Sequence, residues 1–219
     1  MFHVKPSNIP TPPPEVAAVF GDRSELAIAY CESLATDGHI RGFMGPREIP
    51  RLWERHILNC AVLGRAFDEG IRVADVGSGA GLPGIPLAIA RPDLEFILIE
   101  PLLKRSTYLQ EVKELLKLDN VTVIRGRAEE KPVRQAIGKG VDIVTSRAVA
   151  PLGKLAGWSL PLVRKGGAMM AMKGSSAQEE IDRDKDQIRA AGGGKAEIFT
   201  VGDDVLEIPT TVVKIPRVK

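Results

Sequence analysis

The strongest constraint on this chain is a glycine run set between an apolar strand and a helix. Ile71-Arg-Val-Ala-Asp-Val76 is apolar and β-prone, and Gly77-Ser-Gly-Ala-Gly81 interrupts it. Leu82 to Ala90 then reads as a short helix, with Pro83 and Pro86 tolerated in its first turn. A strand that feeds a helix through so tight a turn belongs to a crossover unit, which needs a parallel partner strand and helices to cover the sheet. The turn also gathers backbone N–H groups and a helix N-terminus around one point, where a ligand can sit.

Downstream segments repeat the alternation. Strands are expected at Leu94–Glu100, Val121–Ile124, Val141–Ser146, Gly167–Met172, Glu197–Val201 and Thr211–Ile215. Helices are expected over 102–118, after Pro151, and over Gln178–Ala191 before the stop at Gly192-Gly-Gly194. The last two strands are joined by about ten residues without a helix, so one of them runs antiparallel. The expected core is therefore doubly wound α/β, a mostly parallel seven-stranded sheet with an antiparallel C-terminal strand.

Upstream of this core, which spans 67–219, two further regions stand out. Residues 1–14 hold five of the sixteen prolines and read as a flexible arm. Residues 15–66 read as a helical lobe: Leu26, Tyr30 and Leu34 recur at helical spacing up to Gly38. A turn-like stretch, Arg41 to Pro46, follows, and a second helix carries Ile49, Trp53, Ile57 and Cys60 to Gly64.

Composition excludes several classes. With 219 residues, 44% hydrophobic and 26% charged, the chain is neither fibrous nor disordered, and a net charge of +2 does not by itself call for a nucleic-acid partner. Cys31 and Cys60 lack any CxxC spacing, so a metal site is not expected, and both read as reduced, buried thiols. No apolar run reaches the roughly 18 residues of a membrane span, and no signal peptide is apparent, so a cytoplasmic protein without membrane contact is expected.

The ligand is read from two carboxylates. Asp75 closes the first strand and Glu100 the second, and a carboxylate at the second position can accept both hydroxyls of a ribose. Gly79-x-Gly81-x-x-Gly84 matches a dinucleotide fingerprint, with Glu100 about twenty residues on, which keeps an NAD-dependent oxidoreductase open. The glycines begin earlier, however, at Gly77. The form D-x-G-x-G-x-G, together with the antiparallel last strand, favours a class I (Rossmann-like) fold that uses S-adenosylmethionine as methyl donor.

The longer run Asp75-Val-Gly-Ser-Gly-Ala-Gly-Leu-Pro-Gly-Ile-Pro-Leu-Ala-Ile89 resembles the RsmG family, also called GidB. Arg55-His-Ile-Leu58, Lys104-Arg105, Arg127-Ala-Glu-Glu130, Ser146-Arg-Ala148 and Met172-Lys-Gly174 match in the same order, so the resemblance covers roughly 47–174. It implies an enzyme that methylates guanine N7 in 16S rRNA, at nucleotide 527 of the 530 loop, releasing S-adenosylhomocysteine. It implies cofactor contacts at Gly77, Leu82, Ala128, Glu129 and Arg147, beside Asp75, Gly79, Gly81 and Glu100 from the loop itself. Asn59 stands where the family tends to carry Asp, and the implied pattern does not extend to the arm or to Arg41–Glu48. A class I methyltransferase acting on a protein or small molecule, or an adaptor that binds nucleotide without catalysis, are the alternatives.

Guanine N7 carries an in-plane lone pair, so the expected reaction needs alignment and no general base. Arg147 or Lys104 is expected to orient the guanine through O6, with a salt bridge to the cofactor's carboxylate as the competing role for Arg147. Lys104, Arg105, Arg125, Arg127, Arg147 and Lys173 are expected along a basic rim that meets the phosphates of 16S rRNA or the small ribosomal subunit, acidic residues lying largely elsewhere, and Arg55 and His56 in the helical lobe are expected to act structurally or on the RNA backbone. A monomer is expected.

Overall fold

The computed structural model describes residues 9–219. The expected arm therefore falls in part, at residues 1–8, outside the described residues. Its described end is anchored: Ile9 packs on the core, and the Trp53 indole N–H donates to the Pro10 carbonyl at 3.0 Å.

Among the described residues, seven strands form one sheet in the order β3-β2-β1-β4-β5-β7-β6. They are β1 (Arg72–Val76), β2 (Glu95–Glu100), β3 (Val121–Arg125), β4 (Val141–Arg147), β5 (Val163–Met172), β6 (Glu197–Val201) and β7 (Thr210–Pro216). All neighbours pair in parallel except β7, which is antiparallel to both β5 and β6. The chain winds outward from β1 to β3 and then crosses back to β4, so the order reverses between β1 and β4. In such sheets ligands bind outside the carboxyl ends of the strands at that reversal.

Both faces are covered, which explains the unbroken apolar runs of the strands. Along β2, Phe96 and Leu98 enter one core while Ile97 and Ile99 enter the other. The first face carries α4 (Gly84–Ala90) and α5 (Leu103–Leu116), and the second carries α6 (Lys131–Ile137), α7 (Leu152–Ser159) and α8 (Ala177–Ala190). Sequence reading misses α6, because its only buried residues are Val133 and Ile137, too few for a periodic signal.

The N-terminal segment forms α1 (Glu15–Phe20) and α2 (Ser24–Ser33), the latter continued by a wider π turn over Leu34–Gly38. A second run winds through turns of changing pitch: Ile49–Arg51, the π-type Leu52–Leu58, α3 (Asn59–Ala61) and Val62–Ala66. Tyr30, Leu34, Leu52, Ile57 and Leu63 share one cluster with Ile85, Leu87, Phe96 and Leu98. This segment thus has no core of its own and thickens the helical layer on the first face.

Candidate active site

After β1 the chain turns through Gly77, Gly79 and Gly81 with φ of 72°, 60° and 102°, a region that favours glycine. Beneath the turn, Asp75 is fully buried and accepts the Ser78 hydroxyl at 2.8 Å and the Gly84 N–H at 3.0 Å through Oδ2. Its other oxygen, Oδ1, has no partner among the described residues, nor has the Thr145 hydroxyl at the paired position of β4. Burial pushes the Asp75 carboxyl up to about 7, with the bonds from Ser78 and Gly84 acting the other way. Gly84 lets α4 approach: a Cβ there would lie 2.2 Å from Leu98 and 2.8 Å from Asp75 Oδ2. From the far side, the Tyr30 hydroxyl donates to the Ala80 carbonyl at 2.8 Å, and a Cβ on Gly81 would meet that hydroxyl at 2.9 Å. Asp75 and Gly81 therefore shape the turn from behind, and neither lines the open side.

On the open side lies a cleft of about 590 Å³. Glu100, only 2% exposed, stands in its wall, with Oε2 accepting the Gly79 N–H and Oε1 the Leu102 N–H, both at 2.9 Å. Each oxygen keeps a lone pair, so the carboxylate is preset to accept further donors from a ligand. Gly77, Gly79, Leu82 and Arg147 share this cleft. Ala128 and Glu129 line a smaller recess of about 150 Å³ with Gly126 and Trp158, and Gly77, Pro101 and Val149 border both spaces. A cleft with a preset carboxylate in its wall beside a smaller, mostly apolar recess fits a nucleoside joined to an amino-acid-like tail. Among the described residues no group of His, Cys, Asp and Glu side chains could hold a metal ion.

The front wall comes from the stretch for which the family pattern offered nothing. Phe43, Met44, Gly45 and Glu48 line the cleft together with Glu100. The Phe43 ring meets Tyr108 of α5 edge to face at 5.4 Å, Arg41 pairs with Glu111 at 2.5 Å, and the Lys104 ammonium donates to the Arg41 carbonyl at 2.7 Å. An aromatic residue inside a glycine-rich turn was the one local signal that this loop packs on something.

Arg147, the last residue of β4, is followed by Ala148 at φ 53°, a conformation costing a non-glycine residue about 1 kcal/mol or more. Its guanidinium donates to the His56 Nδ1 at 2.7 Å and to the Cys60 Sγ at 3.3 Å. His56 Nε2 in turn lies 2.7 Å from Glu48 Oε2, and Arg55 reaches Glu48 Oε1 at 3.3 Å. Burial, reinforced by the Arg147 charge, pushes His56 down to about 4, so the ring is neutral near pH 7. The bond from His56 holds the Glu48 carboxyl below its usual range.

The basic residues do stand at the carboxyl ends of β2 to β5, but they are not equivalent. Arg105 and Arg147 line the cleft and Arg127 borders the recess, whereas Arg125 is simply exposed at the end of β3. Lys104 lies outside the cleft, over the Phe43 ring at 5.5 Å. The Lys173 ammonium is turned inward, onto the Ala150 carbonyl at 2.9 Å and Glu180 at 2.8 Å. His56 is buried, with both ring nitrogens engaged, whereas Arg55 is exposed. Acidic groups are not elsewhere, since Glu48, Glu129 and Glu180 stand among these cations. Both thiols are free and buried as expected, but Cys60 contacts the site, which nothing in its spacing signalled.

The chain is similar to known proteins over nearly all its length. The family model GidB, described as rRNA small subunit methyltransferase G, matches residues 23–206. A ribosomal RNA small subunit methyltransferase G from Corynebacterium glutamicum is 71% identical over 209 residues, 95% of this chain and 93% of that protein. Among solved structures, Aeropyrum pernix fibrillarin with natively bound S-adenosyl-L-methionine superposes with a TM-score of 0.53 at 20% identity, covering 74% of each chain. A SAM-dependent methyltransferase from Aquifex aeolicus gives a TM-score of 0.55 at 20% identity, over 80% of this chain and all of that one.

Proposed function

The chain belongs to the GidB family of rRNA small subunit methyltransferases, and on that premise we propose that it methylates N7 of a guanine in 16S rRNA. Family membership also sets aside the dinucleotide reading of the glycine loop. S-adenosylmethionine supplies a methyl group already activated on a sulfonium. Glu100 would hold the ribose hydroxyls, the Gly77–Gly79 turn would lie along the amino-acid end, and the Ala128–Glu129 recess would take the adenine. Asp75 and Gly81 act indirectly, by holding the turn in shape. Arg147 faces the same space and would either orient the guanine through O6 or bind the cofactor's carboxylate.

The observation that carries N7 as the target is that the acid–base groups lining the cleft are already engaged, Glu48 by Arg55 and His56 and Glu100 by the Gly79 and Leu102 N–H groups. His56, the histidine that lines it, has both nitrogens committed, and Asp75 is walled off beneath the turn. A nucleophile with its own in-plane lone pair needs no proton acceptor, and alignment supplies the rate. Arg105, Arg127 and Arg55 would meet RNA phosphates at the rim, with Lys104 bracing the Phe43 wall. The target follows the family resemblance, nucleotide 527 of 16S rRNA, in naked RNA or in the assembled small subunit. No helix among the described residues is long and apolar enough to cross a membrane. A monomer working in the cytoplasm is part of the same proposal.

The test is to incubate the protein with labelled S-adenosylmethionine and small subunits from a strain lacking the modification, then map the methylated base. The expected product is 7-methylguanosine at that single position. Label at another base or another ring atom, or no label, refutes the proposal.

A further inference from the structure

Arginine only donates hydrogen bonds, so the His56 Nδ1, 2.7 Å from the Arg147 guanidinium, must carry no proton. The Glu48 carboxylate only accepts, so the His56 Nε2 facing it at 2.7 Å must carry one. The two contacts together admit a single form of the ring, the neutral Nε2–H tautomer. Its pKa near 4 agrees with that assignment.

The second acceptor on Arg147 is the Cys60 thiol, buried and likewise uncharged. An arginine held by a carboxylate would spend its charge on that partner. Two neutral acceptors fix the guanidinium while leaving its charge and its remaining N–H groups to the cleft. We propose that His56 is a positioning residue that fixes the Arg147 guanidinium through Nδ1 and ties its placement to the Phe43–Glu48 wall through Nε2. The inference rests on the reading of Arg147 as a ligand-facing group.

Two side chains separate the two bonds. Asparagine places an amide near the Nδ1 position and can accept from Arg147, whereas glutamine places its amide near Nε2 and can meet only Glu48. His56→Leu is expected to reproduce the defect of Arg147→Ala, at least tenfold in the same parameter, whether turnover or affinity for S-adenosylhomocysteine. His56→Asn restores most of that loss, and His56→Gln does not. If leucine leaves methyl transfer intact, or if asparagine and glutamine are equally impaired, the imidazole serves packing alone and the proposal falls. Should the leucine variant fail to fold, the asparagine–glutamine contrast still decides. A readout independent of activity is the ¹⁵N spectrum of histidine-labelled protein, with His56 assigned by its loss in His56→Asn. A bare Nδ1 and protonated Nε2 near pH 7, changed in Arg147→Ala, is expected; a protonated Nδ1 overturns the inference. If wild-type protein methylates no guanine N7, the functional reading falls on its own, while this spectrum still tests the bridge.

Discussion

Replacing His56 by Asn should change the pH dependence of stability in a calculable way. In the folded protein burial and Arg147 hold the imidazole near 4, against an ordinary value of 6.5. As pH falls below 6.5 the unfolded chain takes up a proton that the folded protein refuses, so stability from this group is complete above 6.5 and is lost toward 4. Between pH 7.5 and pH 5 the loss is about 2 kcal/mol, and the full shift corresponds to about 3 kcal/mol. Asp75 works in the opposite sense. Its folded value near 7 lies above the ordinary 3.8, so its contribution is greatest in acid and disappears as pH rises through 7. Over the same interval, acidification gains about 2–3 kcal/mol from Asp75, and the wild-type curve should be nearly flat in these two contributions. His56→Asn removes one group and exposes the other. Urea unfolding followed by the fluorescence of Trp53 and Trp158 at both pH values gives the comparison. The variant should gain about 2 kcal/mol relative to wild type on going from pH 7.5 to pH 5. A difference that stays constant with pH would refute the assignment of a neutral, buried imidazole.

Other outcomes follow from the same contacts. Gly84→Ala drives a Cβ into Leu98 and Asp75 and should cost about 2–3 kcal/mol, read as a lowered urea midpoint, with weakened S-adenosylhomocysteine binding. Tyr30→Phe strands the Ala80 carbonyl and should cost about 1 kcal/mol in the same experiment. Lys173→Met removes the cation paired with Glu180 and leaves that carboxylate only the Leu152 N–H and the Ser176 hydroxyl, so it should destabilise the fold by about 2 kcal/mol while leaving the salt dependence of RNA binding unchanged. Arg105→Ala should do the reverse, reducing the slope of log affinity against log salt by about one with stability intact. Arg147→Ala separates its two roles: loss of S-adenosylhomocysteine affinity indicates the carboxylate contact, and loss of turnover alone indicates the guanine contact.

The order of strands and helices, the glycine turn, and the placing of Asp75 and Glu100 at strand ends were legible in the chain itself. These depend on local periods of two and 3.6 residues and on where glycine interrupts them, all within short windows. Even there, α6 was too short to leave a signal, and the sequence did not tell a carboxylate buried beneath the turn, Asp75, from one lining the cleft, Glu100. That distinction is set by α4 closing over Asp75 through Gly84, while the Gly79 and Leu102 N–H groups hold Glu100 at the cleft. Tertiary structure alone decided what each rim cation is free to do. Lys173 and Arg147 look alike after their strands, yet Glu180 turns one inward while His56, 91 residues away, aims the other into the cleft. The Phe43–Glu48 wall was equally hidden, because its role is conferred by α5 and by a histidine on another turn. A side chain's identity lies in the sequence, but its commitment depends on partners that only folding brings within hydrogen-bond reach.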